Sequence, residues 1–279
     1  MVLILIIVAV VIFCVAPGKM TAEAKKMAKA FQGLNCAHRG LHTENQQIPE
    51  NSLPSFEAAR KAGYGVELDV QLSKDGQVVV FHDDDLKRAC GVDKLVNSLN
   101  WEELSTLPLF GTQECMPLLV TALDVLGDAP VIVELKPAGA NNAKLCTEVL
   151  KIMRTYGKRW CIESFDPRIV GWFRKNAPDV LRGQLSAPPA KFDTLSKGKA
   201  FLLGNVLLNF ISRPHFLAYN TAPPTLIVKL CKAMKPMNVA WTVRPGHDIA
   251  KHEKENDCVI FEYYMPTPLY KQRLNLPPV

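Results

Sequence analysis

Apolar runs alternate with segments of helical period along most of the chain after residue 33. Eight of these runs read as strands, at residues 34–37, 65–72, 131–135, 160–164, 181–185, 207–211, 239–243 and 258–263. Helices are predicted between most of them, at 52–62, 119–126, 143–156, 167–176, 224–234 and 247–255. Because strands that alternate with helices form parallel sheets, the pattern predicts an α/β fold, a (β/α)8 TIM barrel over residues 34–279.

Residues 73–118 do not fit this repeat. They contain KDGQVVVFHDD, in which Asp75 and Gly76 favour a tight turn and the run at 78–81 reads as an extra strand before a loop-rich stretch. We predict a small insertion over 73–118, between the second strand and its helix. The loops that follow barrel strands build the active site, so this insertion is expected to cover one.

The first sixteen residues, MVLILIIVAVVIFCVA, contain no charged side chain and lie at the short edge of what spans a bilayer as a helix. A buried strand, a cleaved signal peptide, a lipoprotein signal and an uncleaved anchor are the alternatives. No basic residue precedes the run, and Phe13 stands before Cys14 where a lipoprotein site prefers a small residue. Positive charges follow instead, at Lys19, Lys25, Lys26 and Lys29. We therefore predict a single-pass transmembrane helix over 1–18, a spacer over 19–33, and a cytoplasmic barrel.

Charge and cysteine content narrow the function classes. The net charge of +6 is modest, and the 33 basic residues are spread along the chain, which argues against nucleic-acid binding. The eight cysteines form no CxxC pair and no regular framework, so zinc is not expected and buried thiols in a reducing compartment are favoured. No feature of the sequence predicts a protein partner.

Carboxylates stand where an apolar strand is predicted. In GVELDVQL, Glu67 and Asp69 project to the same side of one strand, which requires a cation, a metal or a proton nearby unless the strand is a solvent-facing edge. In PVIVELKP, Glu134 and Lys136 share a face at the end of another strand. Polar residues at the carboxyl ends of barrel strands meet at the mouth. Three carboxylates suit a hard ion, Mg²⁺ or Ca²⁺ with Mn²⁺ as a further candidate, better than zinc.

Two histidines and an arginine follow predicted strands. CAHRG supplies His38 and Arg39, and FHDDDL supplies His82. A histidine in this position is commonly a surface residue, but two that converge on a metal favour acid and base catalysis. Arg39 and Lys136 would neutralise a phosphate that the metal polarises. His42, in the next loop, is expected to be solvated and to have no chemical role.

Five segments carry a family resemblance: AHRG, PENSLPSFEAARKAGYGVELDVQLSKDGQVVVFHDDDLKRACG, VELK, ESFD and AWTV. Together they closely resemble the glycerophosphodiester phosphodiesterase family over about residues 34–263. The resemblance implies a TIM barrel with a small insertion, one divalent metal ion, and hydrolysis of a glycerophosphodiester to glycerol 3-phosphate and an alcohol. It also implies that the substrate's own glycerol hydroxyl attacks phosphorus, through a cyclic phosphate that water then opens.

Site roles follow from the same resemblance. His38 and His82 match the acid and base pair; Glu67, Asp69 and Glu134 match the metal ligands; Arg39 and Lys136 match the phosphate contacts; Glu50, Asn51, Phe165 and Trp241 match residues of the substrate pocket. Purely structural roles remain as alternatives for the pocket residues: Asn51 as a helix cap, and Phe165 and Trp241 as ordinary core residues. Arg244 and the ending DCVIFEYYMP depart from the family pattern, which leaves the head group open.

The leading hypothesis is a membrane-tethered, metal-dependent glycerophosphodiesterase, with a lysophospholipase D acting on lipid as a close variant. The expected ligands are a small glycerophosphodiester or a lysophospholipid. A glycosidase is disfavoured, because Glu67 and Asp69 lie too close along one strand to flank a sugar. A tethered, non-catalytic binding barrel is the alternative from another class, but it would be expected to show an altered ligand set, and none of these residues is altered.

Overall fold

A computed structural model describes residues 1–137 and 142–270 of the chain. The strands are β1 (Leu34–His38), β2 (Gly65–Leu72), β3 (Val78–Val80), β4 (Val131–Leu135), β5 (Trp160–Ser164), β6 (Arg182–Ser186), β7 (Phe216–Asn220), β8 (Met237–Val243) and β9 (Cys258–Phe261). The helices are α1 (Val2–Val15), α2 (Ala22–Phe31), α3 (Leu53–Ala62), α4 (Lys87–Cys90), α5 (Trp101–Leu104), α6 (Leu119–Leu126), α7 (Asn142–Tyr156), α8 (Pro167–Asn176), α9 (Lys197–Gly204), α10 (Asn209–Ser212), α11 (Leu226–Ala233) and α12 (Ile249–Glu255).

Eight of the strands close into a parallel barrel. Their order is β1, β9, β8, β7, β6, β5, β4 and β2, and the pairing of β1 with β2 closes the ring. The barrel strands and the inner faces of the surrounding helices bury one large apolar cluster. The predicted TIM barrel is thereby confirmed. Residues 138–141 and 271–279 of the predicted domain lie outside the described residues.

One predicted strand is wrong. The apolar run at 207–211 leads into the short helix α10, and the sixth barrel strand is β7 instead. Asn209 within this segment is buried and donates a hydrogen bond to the carbonyl of Val15, while α10 packs against α8 and α1. A short apolar run can form either a strand or a buried helical turn, and periodicity alone does not separate the two.

Residues 73–118 form a small layer beside the barrel. β3 pairs antiparallel with β2, and α4 and α5 follow it. This segment has its own apolar cluster, which includes Val79, Phe81, Leu86 and Leu104. The layer therefore places the loop after β3 at the carboxyl ends of the barrel strands.

The predicted membrane anchor over 1–18 is wrong. α1 has 14 residues, and a helix needs about 20 to cross the hydrocarbon core. Of the helices that the structure describes, none is both long and apolar enough to span a membrane. The end of α1 rests on the barrel, where Val15 is buried and Arg213 donates hydrogen bonds to the carbonyls of Phe13 and Ala16. In the predicted spacer, α2 buries Phe31 in the main core.

Candidate active site

Three carboxylates meet at the carboxyl ends of β2 and β4. Glu67 and Asp69 share one face of β2, and Asp69 lies directly opposite Glu134 in the β2–β4 register. One oxygen from each of the three lies within 4.8 Å of the others, and all three side chains are buried. The parallel register thus produces the cluster that the strand pattern predicts.

The buried carboxylates of this cluster need positive charge nearby to remain ionised together. Burial and the charges of Asp69 and Glu134 hold the pKa of Glu67 well above its usual range. Burial, together with Asp69, likewise raises the pKa of Glu134. Among the described residues, Oε1 of Glu67 has no hydrogen-bond partner although it is buried. Because an unpaired buried carboxylate oxygen is costly, this donor set fits a hard divalent cation.

Lys136 supplies part of the positive charge. Its Nζ lies 3.1 Å from Oδ1 of Asp69 and 2.8 Å from Oε1 of Glu134. Burial opposes ionisation of Asp69, but Lys136, His82 and Arg39 outweigh it and hold the pKa of Asp69 well below its usual range. Asp69 is therefore the carboxylate of the cluster that stays ionised most readily.

The turn after β1 brings His38 and Arg39 to the same cluster. The backbone N–H of Arg39 donates to Oε2 of Glu67 over 3.1 Å, and Nε2 of His38 lies 3.9 Å from that oxygen. The Arg39 side chain donates to Oε1 of Glu50 over 2.7 Å, and its Nε lies 3.3 Å from Oδ2 of Asp69. Arg39 is thus fixed by carboxylates on two sides.

Asn51 holds this turn from the other side. Its backbone N–H donates to the carbonyl of Arg39, and its side-chain amide donates to Oδ2 of Asp69 over 2.8 Å. Arg39 and Asn51 both adopt left-handed φ angles, of 55° and 54°. The alternative of Asn51 as a helix cap is wrong, because Ser52 caps α3 through a capping box with Ser55. Backbone strain of this kind is characteristic of functional turns.

His38 is oriented by a residue that the sequence patterns did not single out. Nδ1 of His38 lies 2.9 Å from Oε1 of Glu262, which follows β9 and is buried. Burial, reinforced by Arg39, lowers the pKa of His38 to about 4. Burial opposes ionisation of Glu262, but the hydrogen bonds of His38 and His42 outweigh it and hold its pKa far below the usual range. A neutral His38 therefore keeps its proton on Nδ1 and its lone pair on Nε2.

His42 is buried, so the expectation of a solvated residue is wrong. Nε2 of His42 lies 3.0 Å from the same Oε1 of Glu262, and Arg244 donates to the other oxygen of that carboxylate. The signal for Glu262 was present, since it stands directly after the last apolar strand like the other site residues. Arg244 and the changed ending, noted as departures from the family pattern, meet at this carboxylate.

His82 reaches the site from the layer formed by residues 73–118. Its Nδ1 lies 2.6 Å from Oδ1 of Asp83, and Oδ2 of Asp83 accepts from Nε of Arg88 over 2.6 Å. Arg88 also donates to Oε1 of Glu50 over 2.6 Å. An Asp83–Arg88–Glu50 chain thus ties the loop of His82 to the turn of Arg39, and neither Asp83 nor Arg88 was among the predicted site residues.

A fourth buried carboxylate, Glu163 of β5, lies opposite Glu134 in the β4–β5 register. Burial, and then the charge of Glu134, hold its pKa well above the usual range. Oε2 of Glu163 has no hydrogen-bond partner among the described residues. We did not predict Glu163, although ESFD lay within the segments that carried the resemblance.

Aromatic side chains border the mouth. Phe165 and Trp241 are only partly buried and pack edge to face with ring centroids 5.5 Å apart, while Nε1 of Trp241 donates to the carbonyl of Ala218. They therefore lie at the mouth and not in the closed core. A cavity of about 770 Å³ opens there, and its lining includes His82, Glu134, Lys136 and Phe165.

Comparison with known proteins places this chain in a family. The model of the Glycerophosphoryl diester phosphodiesterase family matches residues 38–264. A glycerophosphodiester phosphodiesterase of Caldanaerobacter subterraneus is 31% identical over 160 residues, which are 53% of this chain and 65% of the relative. A lysophospholipase D of Homo sapiens is 30% identical over 147 residues, 48% of this chain and 45% of the relative. The chain thus spans less than two thirds of these curated relatives.

Solved structures share the barrel over most of their length. A phosphodiesterase of Oleispira antarctica, in complex with the product sn-glycerol-3-phosphate, is 23% identical with a TM-score of 0.69, and the match covers 88% of this chain and 99% of that one. A glycerophosphodiester phosphodiesterase of Thermotoga maritima is 24% identical with a TM-score of 0.62, covering 86% and 97%. These likenesses show the fold. Since the family model spans nearly all of the barrel, the chain belongs to the glycerophosphoryl diester phosphodiesterase family.

Proposed function

We propose that this chain hydrolyses glycerophosphodiesters to glycerol 3-phosphate and an alcohol, as a phosphoric diester hydrolase that uses one divalent metal ion. The observation that carries the proposal is the cluster of Glu67, Asp69 and Glu134, buried and within 4.8 Å of one another beside two histidines. Family membership and the glycerol phosphate bound by the Oleispira relative support the substrate class. We assign the catalytic domain to residues 34–279, with 73–118 as its insertion.

Glu67, Asp69 and Glu134 would hold the ion. Their oxygen donors favour Mg²⁺, Ca²⁺ or Mn²⁺, and the buried, unpaired Oε1 of Glu67 is a ligand atom without another use among the described residues. When bound, such an ion polarises a phosphoryl oxygen and offsets the charge that develops on it. Lys136, which borders the cavity, and Arg39, which is fixed by Glu50, add positive charge toward the phosphate.

His38 serves as the base in the first step. Its Nδ1–H donates to Glu262, so the lone pair of Nε2 is free on the side of Glu67. In that position Nε2 accepts the proton of the substrate's glycerol hydroxyl as this oxygen attacks phosphorus. No protein nucleophile is needed, because the attacking group belongs to the substrate.

His82 serves as the acid for the leaving alcohol. Asp83 accepts from Nδ1 of His82 and orients its ring, and His82 lines the cavity with Glu134 and Lys136. It donates a proton to the alcohol oxygen as the P–O bond breaks. When water then opens the cyclic phosphate, His82 accepts a proton from water and His38 returns one to the glycerol oxygen. Glu50 and Asn51 hold the turn, and Phe165 and Trp241 border the substrate.

The test uses the purified full chain with glycerophosphocholine, glycerophosphoethanolamine and lysophosphatidylcholine, with and without a chelator. We expect release of glycerol 3-phosphate from the first two, loss of activity in chelator, and recovery with Mg²⁺, Ca²⁺ or Mn²⁺. A His38→Ala variant should lose at least about 10²-fold in turnover, as expected for an acid–base residue. Absence of chelator-sensitive cleavage of every diester, or unchanged turnover in His38→Ala, would overturn the proposal.

A further inference from the structure

A second cavity, which we call the apolar groove, opens beside the catalytic mouth. Its volume is about 960 Å³, and it shares His82, Pro137, Phe165 and Thr194 with the polar cavity that Glu134 and Lys136 line. Trp241 also lines it, so the aromatic pair stands at the junction of the two cavities. A bound diester at the carboxylates therefore has a continuous path into the groove.

Six apolar side chains, four of them leucines, form the far walls of the groove. They come from the loop after β6, from α9 and from the segment around α10; they are Phe192, Leu195, Leu202, Leu203, Leu208 and Ile211. None of the six belongs to the three apolar core clusters formed by the described residues. Leu202 is 39% exposed. Apolar side chains that do not pack in a core yet converge on one cavity mark a binding surface.

We infer that the apolar groove holds a hydrocarbon chain carried by the substrate, so that the preferred diester is lipid-like, as in a lysophospholipid. This inference rests on the proposed function, because it places the phosphate at Lys136 and the carboxylates. The rim carries the exposed Lys191 and Lys199, and the walls are apolar. Cavities that hold small ligands measure roughly 300–1,000 Å³. The polar cavity alone suffices for glycerol phosphate, and the groove adds room for a chain.

The reaction stays the same with a chain attached. Hydrolysis of a lysophospholipid breaks the bond between phosphorus and the head-group oxygen, adds the hydroxyl of water to phosphorus and gives its proton to the alcohol. The products are an acylglycerol phosphate and the free alcohol. In the other arrangement, the chain sits on the leaving alcohol, and the products are glycerol 3-phosphate and a long-chain alcohol. Both place one chain in the apolar groove.

The experiment measures kcat/KM for two substrate series, each kept below its critical micelle concentration so that every substrate is monomeric. One series is acylglycerophosphocholine with acyl chains of two to ten carbons, and the other is glycerophospho-n-alkanols of the same lengths. Each fully buried methylene contributes about fourfold to affinity. We expect one series to gain at least about tenfold in kcat/KM from four to eight carbons, and that series identifies which side of the diester carries the chain.

Two variants connect the gain to the groove. The double variant Leu195→Gln/Leu202→Gln changes two side chains in the walls of the groove. Leu226→Gln is the control, since Leu226 is 82% exposed at the start of α11 and lines neither cavity. We expect the ratio of kcat/KM for eight carbons over two carbons to fall at least about fivefold in the double variant. The control should keep the ratio within about twofold. Far-UV circular dichroism confirms that each variant is folded.

The outcomes separate the two proposals. Cleavage of no diester overturns the proposed function. Cleavage of glycerophosphocholine with the same kcat/KM at every chain length in both series overturns the groove alone. A chain-length gain that the double variant and the control lose equally, or that neither loses, also overturns the groove, because the chain then binds elsewhere.

Discussion

At the scale of single residues, Glu262 decides which nitrogen of His38 carries the proton. One of its oxygens faces Nδ1 of His38 at 2.9 Å and Nε2 of His42 at 3.0 Å, and the other accepts from Arg244. A carboxylate with three donors stays ionised, and an ionised partner holds the Nδ1–H tautomer of His38. Nε2 is then the atom available for proton transfer.

Glu262→Gln removes the charge and keeps the shape. We expect kcat to fall by about 10²-fold or more, because the amide can present its NH₂ to His38 and favour the wrong tautomer. KM should change by less than about threefold, since Glu262 contacts His38, His42 and Arg244 and acts on the reaction through His38. Steady-state kinetics on glycerophosphocholine measure both. His42→Gln is the control: it shares the oxygen but leaves His38 paired, so we expect a loss of only a few fold. An unchanged kcat in Glu262→Gln would refute this role.

Two buried glutamates with raised pKa values allow a second residue-level comparison. Glu67 belongs to the three-carboxylate cluster, whereas Glu163 lies one strand further along the barrel. Because Glu163 lies outside that cluster, Glu163→Gln should preserve Mn²⁺ affinity within about tenfold, as for a residue beside the ligands. Glu67→Gln should weaken it by more than about 10²-fold. Isothermal titration calorimetry checks both, and equal affinities in the two variants would argue against Glu67 as a ligand.

At the scale of elements, the site residues that the sequence could predict were those at the carboxyl ends of strands. Glu67, Asp69 and Glu134 could be placed together from sequence because parallel register fixes where strand ends meet. The turn that joins Arg39 to Asn51 could not be predicted, since left-handed φ angles at two residues other than glycine leave no pattern in the sequence. The strand prediction for 207–211 was wrong for a different reason: the contacts of this segment with α1 and α8, and not its own composition, make it helical.

The left-handed φ angle of Asn51 in that turn leads to a prediction about backbone strain. Asn51→Gly and Asn51→Ala both remove the amide that donates to Asp69, so we expect both to lower kcat/KM, by about tenfold or more. Only alanine also meets the cost of a positive φ angle, which is about 1 kcal/mol. Urea denaturation should therefore show Asn51→Ala to be less stable than Asn51→Gly by about that amount. The reverse order would mean that the turn relaxes when Asn51 is lost.

At the scale of the whole molecule, the N-terminal segment is joined to the barrel around residues 213–215. Gly18 donates its backbone N–H to the carbonyl of Pro214, and Gly18 packs so closely against the carbonyl of Arg213 that a side chain would not fit. His215 follows, buried beside Arg182. A charge on His215 would therefore be buried next to the guanidinium of Arg182, at the place where the N-terminal segment meets the barrel.

Burial, reinforced by Arg182, lowers the pKa of His215 to about 3, whereas in the unfolded chain this pKa has its ordinary value of about 6.5. Between pH 6.5 and pH 3 the unfolded state binds a proton at His215 and the folded state does not. The contribution of His215 to the free energy of unfolding is therefore fully present above about pH 6.5 and is lost as the pH falls toward 3. Between pH 7 and pH 5 this one group should remove about 2 kcal/mol from the free energy of unfolding. Urea denaturation of the wild type and of His215→Gln at both pH values measures it. The variant should lose about 2 kcal/mol less than the wild type over this interval, and parallel losses would show that His215 is protonated in the folded barrel without cost.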